Sequence, residues 1–335
     1  MTPAVSVILP CHRGHGMLAR AIESCLDQTL RELELILVLH RADDSARAIA
    51  EHFEQLDARV RVLRSDQSFV DAVNAGHAGA KSEFVARMDS DDIAYPERLE
   101  RQLKFLESRP DIAVTGCLVH IADPDGDEPR EGFAEYGRWV NSLTEPEEIA
   151  AQRFVESPVV NPTAMFRRSV FESVEGYKES VWAEDYDLFL RLIEAGYGIA
   201  KVPRVLHRWT DHPDRITRTD SRYSLTNFQE AKAHFLSRLR CIQDHGVVLL
   251  GAGPTGKSMA NALRIRGIQI QAYYEIHPRR IGERIRGTPI RDQKDFKRTN
   301  ATALGAVAQR GQREKVRDLA SLSGYREGLD FFSIA

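Results

Sequence analysis

The sequence predicts an α/β protein in two parts, a mostly parallel sheet flanked by helices and then a smaller unit of the same kind. Two observations carry this. From Val5 to Cys117, short apolar runs alternate with segments whose apolar residues recur at helical spacing. Repeated β-α-β order implies parallel strands covered by helices on both faces. The same pattern then restarts at Val247-Val248-Leu249-Leu250-Gly251, which places a domain boundary near residue 240 and divides the chain into 1–240 and 241–335. A length of 335 residues suits two domains.

Taken in order, Val5 to Leu9 is an apolar run stopped by Pro10, as in a buried parallel strand. Met17, Leu18, Ile22 and Leu26 mark a helix. Leu33 to Leu39 is a second strand, Ala46 to Phe53 a helix and Val60 to Leu63 a third strand. Phe69 to Ala80 reads as a helix, and Phe84 to Met88 as the fourth strand. Pro96 opens the next helix, with Leu99, Leu103 and Leu106 on one face, because proline suits a first helical turn. Ile112 to Cys117 is a further strand. The order is less regular between residues 120 and 180, where Asp123-Pro124-Asp125-Gly126-Asp127 is a turn cluster. A helix starts near Glu184, Val205 to Trp209 is a strand and Asn227 to Leu239 a helix.

Composition excludes several classes. With 42% hydrophobic residues the chain is too apolar for intrinsic disorder. It has no long uncharged apolar run, so no transmembrane helix is expected. The start reads as a strand and not as a signal peptide. A net charge of −3 gives no reason to expect nucleic acid or strong attraction to anionic lipid. Four scattered cysteines, without a CxxC pair, fit a reducing cytoplasm.

Asp89-Ser90-Asp91-Asp92 follows the fourth strand, and ligands of open α/β sheets bind beyond the carboxyl ends of strands. Crowded carboxylates repel. A hard divalent cation such as Mg²⁺ or Mn²⁺ offsets that cost and can hold a diphosphate; a solvated acidic turn is the plainer reading. Glu184, Asp185 and Asp187 open a helix, where acids also complement the macrodipole.

The order of motifs separates these readings. Phe84 to Ile93 with Pro96-Glu97-Arg98-Leu99-Glu100-Arg101-Gln102 resembles the metal-binding segment of family 2 glycosyltransferases. Val5 to Pro10 looks like their nucleotide-site strand, and Asn74-Ala75-Gly76 like their Asn-containing helix. Asn161 to Arg168 is similar to the segment near the acceptor site. Gly176-Tyr177 and Glu184 to Leu192 match the second acidic motif, and Arg208-Trp209, Asp211-His212-Pro213 and Arg215 to Arg218 have parallels too. The resemblance covers residues 4 to about 230. It implies a GT-A fold and inverting transfer from a nucleotide-sugar. By that resemblance Asp91 binds the metal, Asp89 the metal or the ribose, and Asp92 caps the following helix. His212 is a third metal ligand or a diphosphate contact, with a structural role as the alternative, and His207 is a weaker candidate for the same part. Asp185 is the general base that an inverting displacement needs opposite the leaving diphosphate, with Glu184 orienting it or the acceptor. Such a base needs little pKa adjustment, because the hydroxyl loses its proton late. Pro10, His12, Arg13, His40, Asp66, Asn74, Arg87, Asp89 and Ser90 line the donor nucleotide. Arg208 and Arg215 are candidate phosphate contacts.

The chain departs from the pattern where aspartates usually end the second strand: Leu39 and His40 stand there, followed by Asp43 and Asp44. Asp66 stands where the family often has Asn, and Cys11-His12-Arg13 replaces a Thr-Tyr-Asn type. UDP is the default base, with GDP or dTDP as alternatives.

Gly251-Ala252-Gly253-Pro254-Thr255-Gly256-Lys257-Ser258 satisfies both G-x-G-x-x-G and the P-loop pattern. The strand Ile268 to Tyr274 ends in Glu275, where a Rossmann unit keeps its ribose-binding acid, and no Walker B aspartate follows Ala303 to Ala308. Gly251, Gly253, Gly256 and Glu275 are therefore the candidate phosphate turn of a Rossmann-like domain. It holds NAD or another nucleotide, or serves only structure or docking. Gly287 to Ile290 and Gly328 to Phe332 resemble accessory domains of sugar-modifying enzymes.

The expected protein is a cytoplasmic transferase in polysaccharide or glycoconjugate synthesis, acting on a carbohydrate or lipid-linked acceptor. Membrane contact would be peripheral or through a partner enzyme, and a homo-oligomer is open. The alternatives are a nucleotide-sugar-binding regulatory or assembly protein and an NAD-linked sugar enzyme.

Overall fold

The computed structural model describes residues 2–14, 16–125, 131–213 and 215–335. Of the turn cluster at 123–127, Gly126 and Asp127 lie outside them. Contacts divide the chain into two units, the first of Met1–Pro146, Val159–Ser180 and Glu184–Thr219. The second comprises Glu147–Pro158, Val181–Ala183 and Asp220–Ala335, so residues 220–240 group with the C-terminal sheet.

The first unit holds β1 (Val5–Cys11), β2 (Leu33–His40), β3 (Val60–Ser65), β4 (Phe84–Arg87), β5 (Ile93–Ala94), β6 (Ile112–Ala122), β7 (Met165–Arg167) and β8 (Gly198–Thr210). They form one sheet in the order β3-β2-β1-β4-β7-β6-β8-β5. β1 to β4 are parallel, with Val7 opposite both Leu35 and Ala86. Strand alternation sends Val7, Leu9, Leu35, Leu37 and Ala86 into one core, and Ile8, Ile36, Val38 and Val85 into another with Ala72. Both faces are thus covered, which explains why β1 and β2 read as unbroken apolar runs.

β7 runs antiparallel between β4 and β6, and β5 pairs antiparallel with β8. Neither short strand was expected. β6 and β8 also extend well beyond the segments predicted, and helices Glu131–Ser142 and Pro146–Gln152 occupy part of the irregular region. The helix expected to open at Pro96 starts at Arg98, leaving Pro96 just outside it. Among the described residues no helix is long and apolar enough to cross a membrane.

The second unit contains β9 (Val247–Leu250), β10 (Ile270–Glu275), β11 (Arg284–Ile285), β12 (Thr288–Asp292), β13 (Thr302–Gly305) and β14 (Phe331–Ser333). Their order is β11-β12-β10-β9-β13-β14, with all pairs parallel except β11 on β12. Outside the β11 hairpin this is a doubly wound order, with its switch point between β9 and β13. Lys232, buried in this unit, donates from Nζ to Val155 O at 2.8 Å and Ile334 O at 3.1 Å, tying the segment 147–158 to the chain's end.

Candidate active site

The acidic turn leaves β4 at the carboxyl end of the parallel strands. Oxygens of Asp89, Asp91 and Asp92 lie within 4.8 Å of one another. Each carboxylate has a different partner. Arg87, buried in β4, donates from Nη2 to Asp89 Oδ1 at 2.8 Å and from Nη1 to Ile8 O at 3.2 Å. His212 Nε2 lies 2.8 Å from Asp91 Oδ2. Asp92 accepts from Thr210 N at 2.8 Å, and its Oδ2 lies 2.9 Å from His207 Nε2. The last pair corrects the expectation that Asp92 caps the next helix. That helix starts at Arg98 with Glu97 at its N-cap and no side-chain cap, because β5 turns the chain onto β8 and points Asp92 inward.

Burial raises the Asp89 carboxyl above its ordinary value, with Arg87 opposing and Asp91 adding to the rise. Burial and Asp91 push Asp92 well up. For Asp91 burial also acts upward, but the His212 hydrogen bond and Arg215 outweigh it and hold the group below its usual range. Arg215 is buried, its guanidinium 4.2 Å over the Trp209 ring, and Nη1 donates to Thr210 O. Arg208 spends its Nη2 on Asp123 O and Pro124 O. Three oxygen donors that compete for one small space fit a hard divalent cation.

Glu184 and Asp185 open the helix Glu184–Glu194, Glu184 being buried. Asp185 Oδ1 accepts from Tyr186 N at 2.7 Å. Burial, and then the neighbouring Glu184, push the Asp185 carboxyl up to about 7. This differs from the expectation of an unadjusted base: the helix start that supplies an amide hydrogen also half-buries the residue beside buried Glu184. Asp187 holds Arg191 at 2.6 Å, and Arg191 Nη2 donates to Gly176 O at 2.7 Å.

Asn74 turns its amide to the backbone of Tyr177, donating to Tyr177 O at 2.8 Å and accepting from Tyr177 N at 3.0 Å. Tyr177 in turn donates its hydroxyl to Asn161 Oδ1 at 2.8 Å. Four of the sequence motifs (β4, Asn74, Asn161 and Glu184) therefore meet around Arg87 and Tyr177. Tyr177 and Glu184 both act on the Arg87 guanidinium.

Pro10, His12 and Arg13 lie at the end of β1, beside His40 at the end of β2. His12 Nδ1 is 3.0 Å from His40 O, and the two rings are 6.0 Å apart. Arg13 and Asp66 are exposed, and Ser90 is half-buried. Burial, then His12, lowers the His40 pKa and favours a neutral ring. Asp43 is committed elsewhere: it caps the helix Asp44–Leu56 through Ala46 N at 2.7 Å and accepts from Gly14 N at 3.0 Å. Sequence reasoning missed Arg98, and it ranked His207 only as a weaker candidate than His212; both are buried. Arg98 read as one residue on an amphipathic helix, and only the pairing of β5 with β8 brings His207 to it.

In the second unit Gly251, Gly253 and Gly256 form the turn into the helix Pro254–Ile265, and Glu275 ends β10 beside it. A Cβ on Gly256 would lie 2.2 Å from Gly251 O, so only glycine permits this helix–turn approach. Glu275 Oε2 accepts from Ala252 N at 3.3 Å and pairs with Arg280, which also donates to Ala252 O at 2.7 Å.

A mixed sheet with an acidic turn after its fourth strand, faced by a second carboxylate pair, defines a GT-A-type sugar-nucleotide transferase. The model for "Glycosyl transferase family 2" matches residues 6–175. The chain is 30% identical over 203 residues to the amylovoran biosynthesis glycosyltransferase AmsE of Erwinia amylovora, covering 60% of this chain and 73% of that one. Its fold is similar to S. aureus TarS 1-349 solved with UDP-GlcNAc, at a TM-score of 0.53 and 17% identity, over 78% of this chain and 72% of that one. The mannosyltransferase PcManGT of Pyrobaculum calidifontis, solved with GDP-Man and Mn2+, gives a TM-score of 0.51 at 17% identity, over 79% and 70% of the two chains. The chain belongs to glycosyl transferase family 2 and is a glycosyltransferase.

Proposed function

We propose that this enzyme moves a sugar from a nucleoside diphosphate donor to a hydroxyl acceptor with inversion, aided by Mn²⁺ or Mg²⁺. The observation that carries this reading is the convergence of Asp89, Asp91 and Asp92 within 4.8 Å, next to a second carboxylate with a raised pKa. Asp89 and Asp91 would hold the cation, with His212 as a third ligand or a diphosphate contact. The cation, when bound, neutralises charge on the departing diphosphate. Arg87 keeps Asp89 in place, and Arg215 adds positive charge on the same side. Asp185 takes the acceptor proton as the new C–O bond forms, and Glu184 keeps its carboxyl basic enough to do so. His12, Arg13, His40 and Asp66 surround the base at the ends of the first three strands. UDP is the first donor to test, and GDP the second because PcManGT binds GDP-Man. AmsE works in amylovoran biosynthesis, which favours a growing polysaccharide or its lipid-linked precursor as acceptor.

The test is release of nucleoside diphosphate from a panel of UDP-, GDP- and dTDP-sugars with Mn²⁺, with Asp91→Ala and Asp185→Asn as controls. Turnover that needs Mn²⁺ and both carboxylates is expected. Turnover indifferent to chelation would remove the cation from the reading.

A further inference from the structure

We propose that Arg98 and His207 are positioning residues that fix Asp92, and with it the strand end leading to His212, beneath the acidic cluster. The inference rests on the cation reading of that cluster. Its contacts form a continuous chain. Arg98 Nη1 lies 3.2 Å from His207 Nδ1, His207 Nε2 lies 2.9 Å from Asp92 Oδ2, and Thr210 N donates to Asp92 Oδ1 at 2.8 Å. Arg98, His207 and Asp92 are 1%, 0% and 0% exposed, so bulk solvent does not orient them.

The chemistry sets the direction of each bond. A guanidinium has donors only, so His207 Nδ1 accepts and Nε2 carries the hydrogen that goes to Asp92. One tautomer is selected, as outer partners of a metal site commonly do for an imidazole. The remaining Arg98 donors reach Arg87 O at 2.7 Å, Pro162 O at 2.6 Å and Gln102 Oε1 at 3.1 Å. One buried cation therefore joins the end of β4, the turn Asn161–Thr163 and β8. Among the described residues it has no direct carboxylate hydrogen-bond partner; the imidazole of His207 links it to Asp92. Packing alone would be served by an apolar side chain at lower desolvation cost. Both Asp92 oxygens are gripped from the protein side, which fixes the plane of the carboxylate relative to Asp89 and Asp91. Thr210 ends β8, so the same grip sets where the segment bearing His212 begins.

Two variants of the full chain separate this role from simple packing. In His207→Gln the amide reaches the Nε2 position and still donates to Asp92. In His207→Asn it reaches only the Nδ1 position, keeping Arg98 and losing Asp92. The probe is Mn²⁺ alone, read by the EPR signal of the free ion, with thermal unfolding measured alongside. His207→Asn is expected to weaken Mn²⁺ binding about tenfold or more, and His207→Gln to stay within about threefold of wild type. Equal binding by the two folded variants would overturn the proposal. A second measurement needs no variant: ¹⁵N-histidine-labelled wild type titrated with Mg²⁺ should show a neutral Nε2–H ring at His207 whose resonance moves with the ion. An Nδ1–H tautomer, or a resonance that ignores Mg²⁺ under conditions where the ion binds, overturns it. A wild type that binds neither ion removes the cation reading itself and the proposal with it.

Discussion

His212 Nε2 lies 2.8 Å from Asp91 Oδ2, joining the segment after β8 to the acidic turn after β4. Imidazole and carboxylate are both ligands for Mn²⁺, and a hydrogen bond between them holds two such groups at one point. His212→Ala should raise the Mn²⁺ concentration for half-maximal donor hydrolysis by about 10–100-fold, with turnover recovering at saturating ion. Asp91→Ala should not recover at any Mn²⁺ concentration. A Mn²⁺ curve unchanged by His212→Ala would leave His212 a purely structural partner of Asp91.

Asp185 accepts one amide hydrogen and sits beside a buried glutamate, so its carboxyl is held where it can exchange a proton. Asp185→Asn keeps the shape and removes the proposed base. Transfer to a hydroxyl acceptor is expected to fall about 10²–10⁴-fold in kcat. Donor affinity, read by calorimetry with UDP and Mn²⁺, should stay near wild type. Loss of affinity in equal measure would move Asp185 from the acceptor side to the donor side.

The raised pKa makes a signed statement about pH. With the Asp185 carboxyl near 7, the proposed base is protonated and inactive below that value and ionised above it. Turnover should therefore rise with pH through about 7 and then level off. Burial is the main cause of the rise and Glu184 the next, so Glu184→Gln removes only the electrostatic part. Its acid limb should move to lower pH without disappearing. A limb that stays in place would mean that another group controls it.

Much of this site was legible because its residues come as short runs tied to strand ends. The alternation of β1 to β4 is set by local pattern, and Asp89 to Asp92 follow from where β4 stops. What stayed hidden depends on pairing between distant strands. β5 is two residues long and carries no periodic signal, yet its pairing of Ala94 with His207 turns Asp92 away from the helix it was expected to cap. β7 is three residues long and reverses direction between β4 and β6, a topology that composition does not announce. The raised Asp185 carboxyl was missed for a related reason: charge pattern shows an exposed-looking helix start, whereas burial of Glu184 is a tertiary property. Asn74 illustrates a third case, in which a motif was found but its amide faces the backbone of Tyr177.

That amide gives the last expectation. Tyr177 is buried, and Asn74 satisfies both its N–H and its C=O. Asn74→Ala leaves the two groups unpaired, and each unmet bond costs about 1–3 kcal/mol. Gly176 beside it has φ +60°, and a Cβ there would lie 2.8 Å from Asn74 Oδ1. Gly176→Ala therefore combines left-handed strain of about 1–2 kcal/mol with pressure on the same amide. Because both changes act on one contact, the double variant should lose less stability in urea unfolding than the sum of the two. The Asn161 contact to the Tyr177 hydroxyl depends on the same clamp, so transfer to the acceptor should fall along with stability. Strict additivity, with transfer unchanged in the folded single variants, would mean that the clamp serves only its own loop.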